Sequence, residues 1–246
     1  MENAQLISLS RQIGLQRQMD VLANNIANMN TTGFKSAAIM FEEYVMPVAS
    51  AETLAPLDHD LSFTQDWGTL LDLAPGSMVQ TGNQLDVALS GDGFLAIGTP
   101  EGERWTRSGA LQINSDGVLV NFDGLPVLGD GGNEIRFDAN ETTISIDATG
   151  TITTNEGAKG RLRVVEFENP QELERQGDNL FSGGIPVAAI STQVVQGAIE
   201  KSNVSGVAEM TEMIRVQRAY QSLASMMQRQ DEVRREAIKT LGNLNA

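Results

Sequence analysis

The sequence predicts an α+β protein: two long terminal helices pair as a coiled-coil-like bundle, and an all-β domain is inserted between them. Three observations predict it. Near the start, Leu15, Met19, Leu22, Ile26 and Met29 step by four, three, four and three, the heptad seam of a helix that packs on another helix. Near the end, Met213, Val216, Tyr220, Leu223 and Met227 step by three, four, three and four. Between them apolar residues alternate with period two, and Asp-Gly pairs punctuate the alternation, as in a sandwich or partly closed barrel. The expected domains are residues 1–35 with 203–246 as a helical domain, 36–75 as an extended arm, and 76–202 as the β domain.

The first helix is expected over residues 3–29, about 40 Å at 1.5 Å per residue. Leu6, Leu9 and Ile13 precede the Leu15 seam out of phase, which disfavours a long, regular two-stranded coiled coil. At 100° per residue Arg17, Asn24 and Asn28 point away from the seam, with Asn25 on the flank. Asparagine competes with the backbone for hydrogen bonds and weakens a helix. On periodicity alone this face is simply solvated. The cost of three asparagines within five residues instead suggests a compensating contact, with a neighbouring subunit or the partner helix. The helix is expected to stop at Asn30-Thr31-Thr32-Gly33, with Gly33 as left-handed C-cap and Phe34 folding back on the last turn.

From Ser36 to Leu73 the periodicity fails. Phe41 to Pro47 reads as a short helix or an extended arm, and Ala49 to Thr64 as an extended linker. Asp58-His59-Asp60 is a poor metal cluster, because three adjacent residues cannot all face one ion.

Strands are expected at 85–89, 111–113, 118–122, 135–137, 144–146 and 162–164, with Asp-Gly turns at 92–93, 116–117, 123–124 and 130–131. Ile113, Gly117, Leu119 and Gly124 recur at identical spacing as Ile146, Gly150, Ile152 and Gly157, which predicts two similar hairpins. Gly91-Asp-Gly93-Phe-Leu-Ala96 fits a loose dinucleotide fingerprint. That motif needs a helix after it, whereas here a second apolar strand follows, so a tight turn is the better reading. The last helix opens after Ser202-Asn203-Val204, with Asn203 or Ser205 available as N-cap and Glu209 and Glu212 in its opening turns.

The net charge of −15 is uneven, since residues 36–204 hold 8 bases against 25 acids and both ends are close to neutral. An acidic middle argues against nucleic acid as a partner. No apolar run of membrane-spanning length occurs, so no direct membrane insertion is expected, and the first residues lack the features of a cleavable signal peptide. With no cysteine and one histidine, thiolate and multi-imidazole sites are excluded. No nucleophile set, P-loop or assignable acid pair is present. The chain is therefore expected to be no enzyme, with no cofactor, metal or small-molecule substrate.

Ala23-Asn-Asn-Ile-Ala-Asn28 followed by Asn30-Thr-Thr-Gly-Phe-Lys35 resembles the N-terminal signature of the flagellar basal-body rod and hook family. Leu85 to Leu89 with Gly91-Asp-Gly-Phe94, then Trp105-Thr-Arg107-Ser-Gly109, resembles its central block. Ser202-Asn-Val, Glu209-Met210, Met213-Ile214 and Gln217-Arg-Ala-Tyr-Gln221 resemble its C-terminal signature. The resemblance implies a rod subunit exported by the flagellum's own secretion apparatus, which partners copies of itself and other axial proteins in the periplasm. Length and the Phe41-Glu-Glu-Tyr-Val-Met-Pro47 segment favour the proximal-rod member over a distal-rod or hook-type one. A soluble β-domain binding module with a private helical hairpin is the alternative of another class. The expected packing residues are the two seams with Asn24, Asn25, Asn28, Gly33, Phe34, Asn203, Val204, Met210 and Ile214.

Overall fold

The computed structural model describes residues 2–46 and 61–243, which form two helices and a many-stranded β region, an α+β architecture. The Asp58-His59-Asp60 triplet lies outside the described residues. The chain divides into two units, one comprising residues 1–26, 37–70 and 205–246, the other 27–36 and 71–204.

The first unit contains helix α1 (Glu2–Ala27), strands β1 (Ala37–Met46) and β2 (Leu61–Leu71), and helix α2 (Gly206–Asn243). Within the stretch whose periodicity fails, β1 and β2 join in a two-stranded sheet, and most of the linker expected over Ala49 to Thr64 lies outside the described residues. One contact within the unit explains a helix glycine. A Cβ on Gly14 would lie 3.0 Å from the ring of Phe41, so glycine lets the β1 side chain rest on α1. No helix among the described residues is long and apolar enough to cross a membrane.

The second unit holds fifteen strands. In chain order they are β3 (Met78–Gln80), β4 (Val87–Ser90), β5 (Phe94–Thr99), β6 (Gly102–Thr106) and β7 (Leu111–Ile113). Then come β8 (Leu119–Asn121), β9 (Ile144–Ile146), β10 (Thr151–Thr154), β11 (Gly157–Arg161) and β12 (Val164–Phe167). The last are β13 (Glu174–Gln176), β14 (Leu180–Ser182), β15 (Pro186–Ala188), β16 (Gln193–Gln196) and β17 (Ala198–Glu200). The largest sheet runs β13-β14-β6-β5-β12-β15, and its two edge strands do not meet, so it does not close into a barrel. The smaller sheets are β11-β10-β9, β16-β4, β17-β3 and β7-β8.

All of these sheets except β17-β3 share one apolar core, in which Leu89, Leu95, Ile97, Leu119, Ile152 and Leu162 are essentially sealed from water. Each such side chain contributes about 1.5–3 kcal/mol of burial. The internal repeat of the sequence is a repeat of structure. Asn114 Oδ1 accepts the N–H groups of Asp116 and Val118, and Asp147 Oδ1 accepts those of Thr149 and Thr151. Gly117 (φ 76) and Gly150 (φ 83) complete equivalent turns in β7–β8 and β9–β10. The segment 135–137, expected as a strand, forms a single bridge, Arg136 with Val118, while Ile135 and Phe137 enter the core. The Gly91-Asp-Gly93 turn leads directly into β5, as the tight-turn reading requires.

Candidate functional site

Within the first unit, α1 and α2 meet through polar groups. Gln18 Nε2 donates to Glu212 Oε1 at 3.2 Å, and Asn25 Nδ2 to Glu209 Oε2 at 3.2 Å. The order reverses between the helices, so they pass antiparallel over this stretch. Leu22 and Val216 are buried; Leu15, Met19, Ile26, Met213, Tyr220, Leu223 and Met227 are half-buried. Beyond Met227, α2 extends past the stretch that α1 can cover, and Val233 and Ile238 face solvent.

Asn25 is the most constrained side chain of the asparagine cluster, at 2% exposure. Besides Glu209, its Nδ2 donates to Ala37 O at 2.9 Å, and its Oδ1 accepts the Ala37 N–H at 3.1 Å. One amide thus satisfies both backbone groups of the first β1 residue. Asn24 is exposed, while Asn28, half-buried in the second unit, accepts the Thr31 hydroxyl at 3.1 Å. Asn25→Ala is expected to cost about 1–2 kcal/mol, the loss of buried hydrogen bonds less a small gain in helix propensity. Asn24→Ala is expected to be near neutral. Urea unfolding of both variants followed by circular dichroism checks this; equal costs would show that Asn25 does not hold β1.

A second apolar stripe lies on the other side of each helix. Leu6, Leu9 and Ile13 on α1 are 46–53% exposed, and Val207, Met210 and Ile214 on α2 are 51–80% exposed. Both triplets step by three and four, and at 100° per residue each lies well over 90° from its buried seam. Met29 also faces solvent.

In the second unit, the segment that follows the asparagines is built into the β structure. Phe34 is buried, and the guanidinium of Arg175 lies 4.2 Å above its ring. Arg175 also donates to Lys35 O, and Asn179 Nδ2 to Thr32 O at 2.9 Å. Gly33 has φ 67, the left-handed conformation a C-cap glycine takes, and its N–H donates to Glu200 O at 2.8 Å.

Next to it lies a buried ion cluster. Lys35 Nζ is 2.7 Å from Glu200 Oε1, and Arg107 Nε is 2.6 Å from Glu200 Oε2. All three side chains are 1–3% exposed. Lys35 also donates to Ala74 O, and Gly76 N–H donates to Glu200 Oε1. The remaining guanidinium nitrogens of Arg107 donate to Leu89, Gly91 and Gly93 carbonyls, so the Gly-Asp-Gly turn is a carbonyl cradle for Arg107. Burial pushes the Glu200 carboxyl up, but Arg107, Lys35 and the Gly76 N–H outweigh it and hold it below the usual range. Burial holds the Lys35 ammonium below its ordinary value despite Glu200.

Asn203 does not cap α2. Its Oδ1 accepts the Ser36 N–H at 2.7 Å while its Nδ2 donates to Asp72 O and Ala74 O, so it ties three backbone segments together. Val204 beside it is half-buried. Gly76 and Gly109 permit backbone approaches that any side chain would block: a Cβ on either would lie 1.8 Å from a carbonyl oxygen.

A cleft of about 420 Å³ opens beside this cluster, lined by Leu73, Pro75, Phe94, Phe167 and Pro170 among others. Its two cations already serve Glu200 and backbone carbonyls. Asp138, Glu141 and Glu156 bring carboxylates within 4.8 Å of one another. Lys159 sits against this group, 2.8 Å from Asp138 and 3.0 Å from Glu141, where it supplies the positive charge itself.

Three stretches match described families. Residues 6–35 match the flagella basal body rod protein family, 88–154 the flagellar hook protein FlgE/F/G D1 domain, and 195–240 the flagellar basal body rod FlgEFG protein C-terminal. The chain is 36% identical over 249 residues to the flagellar basal-body rod protein FlgF of Caulobacter vibrioides, covering 100% of both. It is 34% identical to FlgF of Mesorhizobium japonicum, covering 99% of each. It is 32% identical to FlgG of Agrobacterium fabrum, covering 89% of this chain and 91% of that one.

Proposed function

The chain belongs to the flagellar basal-body rod protein family, and from that premise we propose that it is a structural subunit of the proximal rod. Its copies assemble with one another and with other axial proteins into a helical tube that transmits torque and encloses the export channel. The observation that carries this is the second apolar stripe of each helix, Leu6-Leu9-Ile13 and Val207-Met210-Ile214, which a single chain leaves in water. Exposed apolar stripes at helical spacing match the requirement for helix-on-helix packing between subunits. A head-to-tail contact that does not close yields a helical filament.

In this reading residues 1–35 and 203–246 are the assembling part. The two seams extend into coiled-coil-like packing once neighbours are present, and Asn24, Asn28 and Met29 face them. The β domain over 76–202 is a sandwich-like body with a solvated acidic surface. The proximal position is supported by three FlgF relatives at 30–36% identity over 98–100% of this chain. Export by the flagellar secretion apparatus without signal cleavage, and assembly in the periplasm, complete the proposal. No catalytic step is part of it.

Ile214→Glu tests the reading, because the residue is half exposed and the substitution is expected to leave the free chain folded. In cells whose own copy is replaced, the variant is expected to be exported yet absent from isolated rods, and the cells to be non-motile. Normal incorporation and motility would overturn it.

A further inference from the structure

Residues 179–199 contain no charged side chain, although the chain as a whole carries −15. The run includes β15, an edge strand of the six-stranded sheet. Beside that edge Ile185 is 80% and Ile190 94% exposed, and Val187 on the strand is 37% exposed. Single exposed apolar residues are ordinary, but two nearly bare isoleucines flanking a charge-free edge resemble the core of an interface, where charged residues are depleted.

Both isoleucines sit on braced backbone. Glu166 Oε1 accepts four groups just after Ile190, the N–H and hydroxyl of Ser191 and of Thr192, at 2.7–3.1 Å. Those donors hold the Glu166 carboxyl below its ordinary range against burial, with the Thr192 hydroxyl the largest influence. Before Ile185, Gly184 (φ 66) lies so close to the Phe167 ring that a Cβ would approach within 2.8 Å. A side chain presented from fixed backbone loses little entropy when it is covered.

The geometry also decides how the edge is used. Pro186 has no N–H, and β15 is three residues long, so another chain's strand cannot extend the ladder there. Contact must come through side chains. We infer that the Ile185–Ile190 edge is a second contact between neighbouring copies of this chain, formed once the copies are already held side by side. This rests on the assembly reading above.

Two arguments select a second copy. Surfaces of two acidic chains repel wherever both carry open carboxylates, so like chains approach most easily along a run without charge of its own, where the carboxylate opposite Val187, that of Glu166, is taken up by the Ser191 and Thr192 donors. The area is also small: covering Ile185, Val187 and Ile190 removes on the order of 350 Å², under half of the ~800 Å² per partner of a stable interface. Such a patch cannot hold a free dimer, but it adds to an assembly in which effective concentrations are high.

The chain has no cysteine, so single cysteines report cleanly. Ile185→Cys, Ile190→Cys and the control Asp116→Cys, each labelled with a benzophenone maleimide, are irradiated in isolated rods and as dilute purified chain. In rods, positions 185 and 190 are expected to yield a product of twice the chain mass whose peptides all derive from this chain. Its yield should be at least about tenfold above the control and above dilute chain. No such product, a product with another protein, or equal yield in dilute chain would each overturn the inference. A chain missing from rods altogether would instead overturn the assembly reading first.

Discussion

Replacing Glu200 with alanine is expected to destabilise the β unit by about 3–5 kcal/mol, the effect of removing one partner from a buried ion pair. Here the loss falls on two cations. Lys35 and Arg107, at 1% and 3% exposure, would share a buried site with no counter-charge, and the Gly76 N–H would lose its acceptor. Glu200→Gln keeps an acceptor for Gly76 and is expected to be milder. Urea unfolding of the full chain, read through the buried Trp105, measures both; a loss under about 1 kcal/mol for the alanine variant would show that the cluster is not held as described. The pH dependence has a fixed sign. Glu200 is held below its ordinary value, so the unfolded chain binds more protons on the acid side, and this stability is present above about pH 4.3 and lost as pH falls through the folded value. The acid limb is expected to be shallower in Glu200→Gln, with the part that Glu166 contributes remaining. The lowered Lys35 value acts at the other end, where stability rises with pH between its folded and unfolded values.

What the sequence made legible is what repeats locally. Heptad spacing marked both helices, and period-two alternation with Asp-Gly turns marked β4, β7, β8, β9 and the start of β12, while most of the other strands went unmarked. The paired repeat at Ile113 and Ile146 identified two turns built on Asn114 and Asp147, residues the spacing itself did not name. The β1–β2 pair was illegible because its strands lack a single alternating face. The ion cluster was illegible for a different reason. Lys35 and Glu200 are 165 residues apart, and no periodicity links a lysine at the end of one motif to one glutamate among 32 acidic residues. Composition offered only a general signal: with 8 bases among 25 acids over 36–204, any of those bases, Arg107 included, could find a carboxylate. Composition could not choose their partners. Asn203 misled for a local reason, since an asparagine before a helix reads as a cap, and only the fold shows its amide committed to Ser36, Asp72 and Ala74.

Gly33→Ala should separate backbone conformation from close packing at the same cluster. The left-handed conformation alone, at φ 67, costs a non-glycine residue about 1–2 kcal/mol. Gly124, at φ 81 with nothing within 4 Å of an added Cβ, should show that cost and no more when changed to alanine. At Gly33 the added Cβ would lie 2.4 Å from Arg107 C and Ser108 N, both backbone atoms. Relief requires moving one of two segments that are already fixed. Arg107 is held by Glu200 and the carbonyl cradle, and the Gly33 N–H is held by Glu200 O. Either movement sacrifices buried hydrogen bonds, each worth about 1–3 kcal/mol when its partner is left unsatisfied. The expected loss for Gly33→Ala is therefore about 3 kcal/mol or more, at least twice that for Gly124→Ala. Paired urea titrations of the two variants decide it. Equal losses would mean that the Thr32–Lys35 segment can lift from the Arg107 strand at no cost, and that its glycine serves the turn alone.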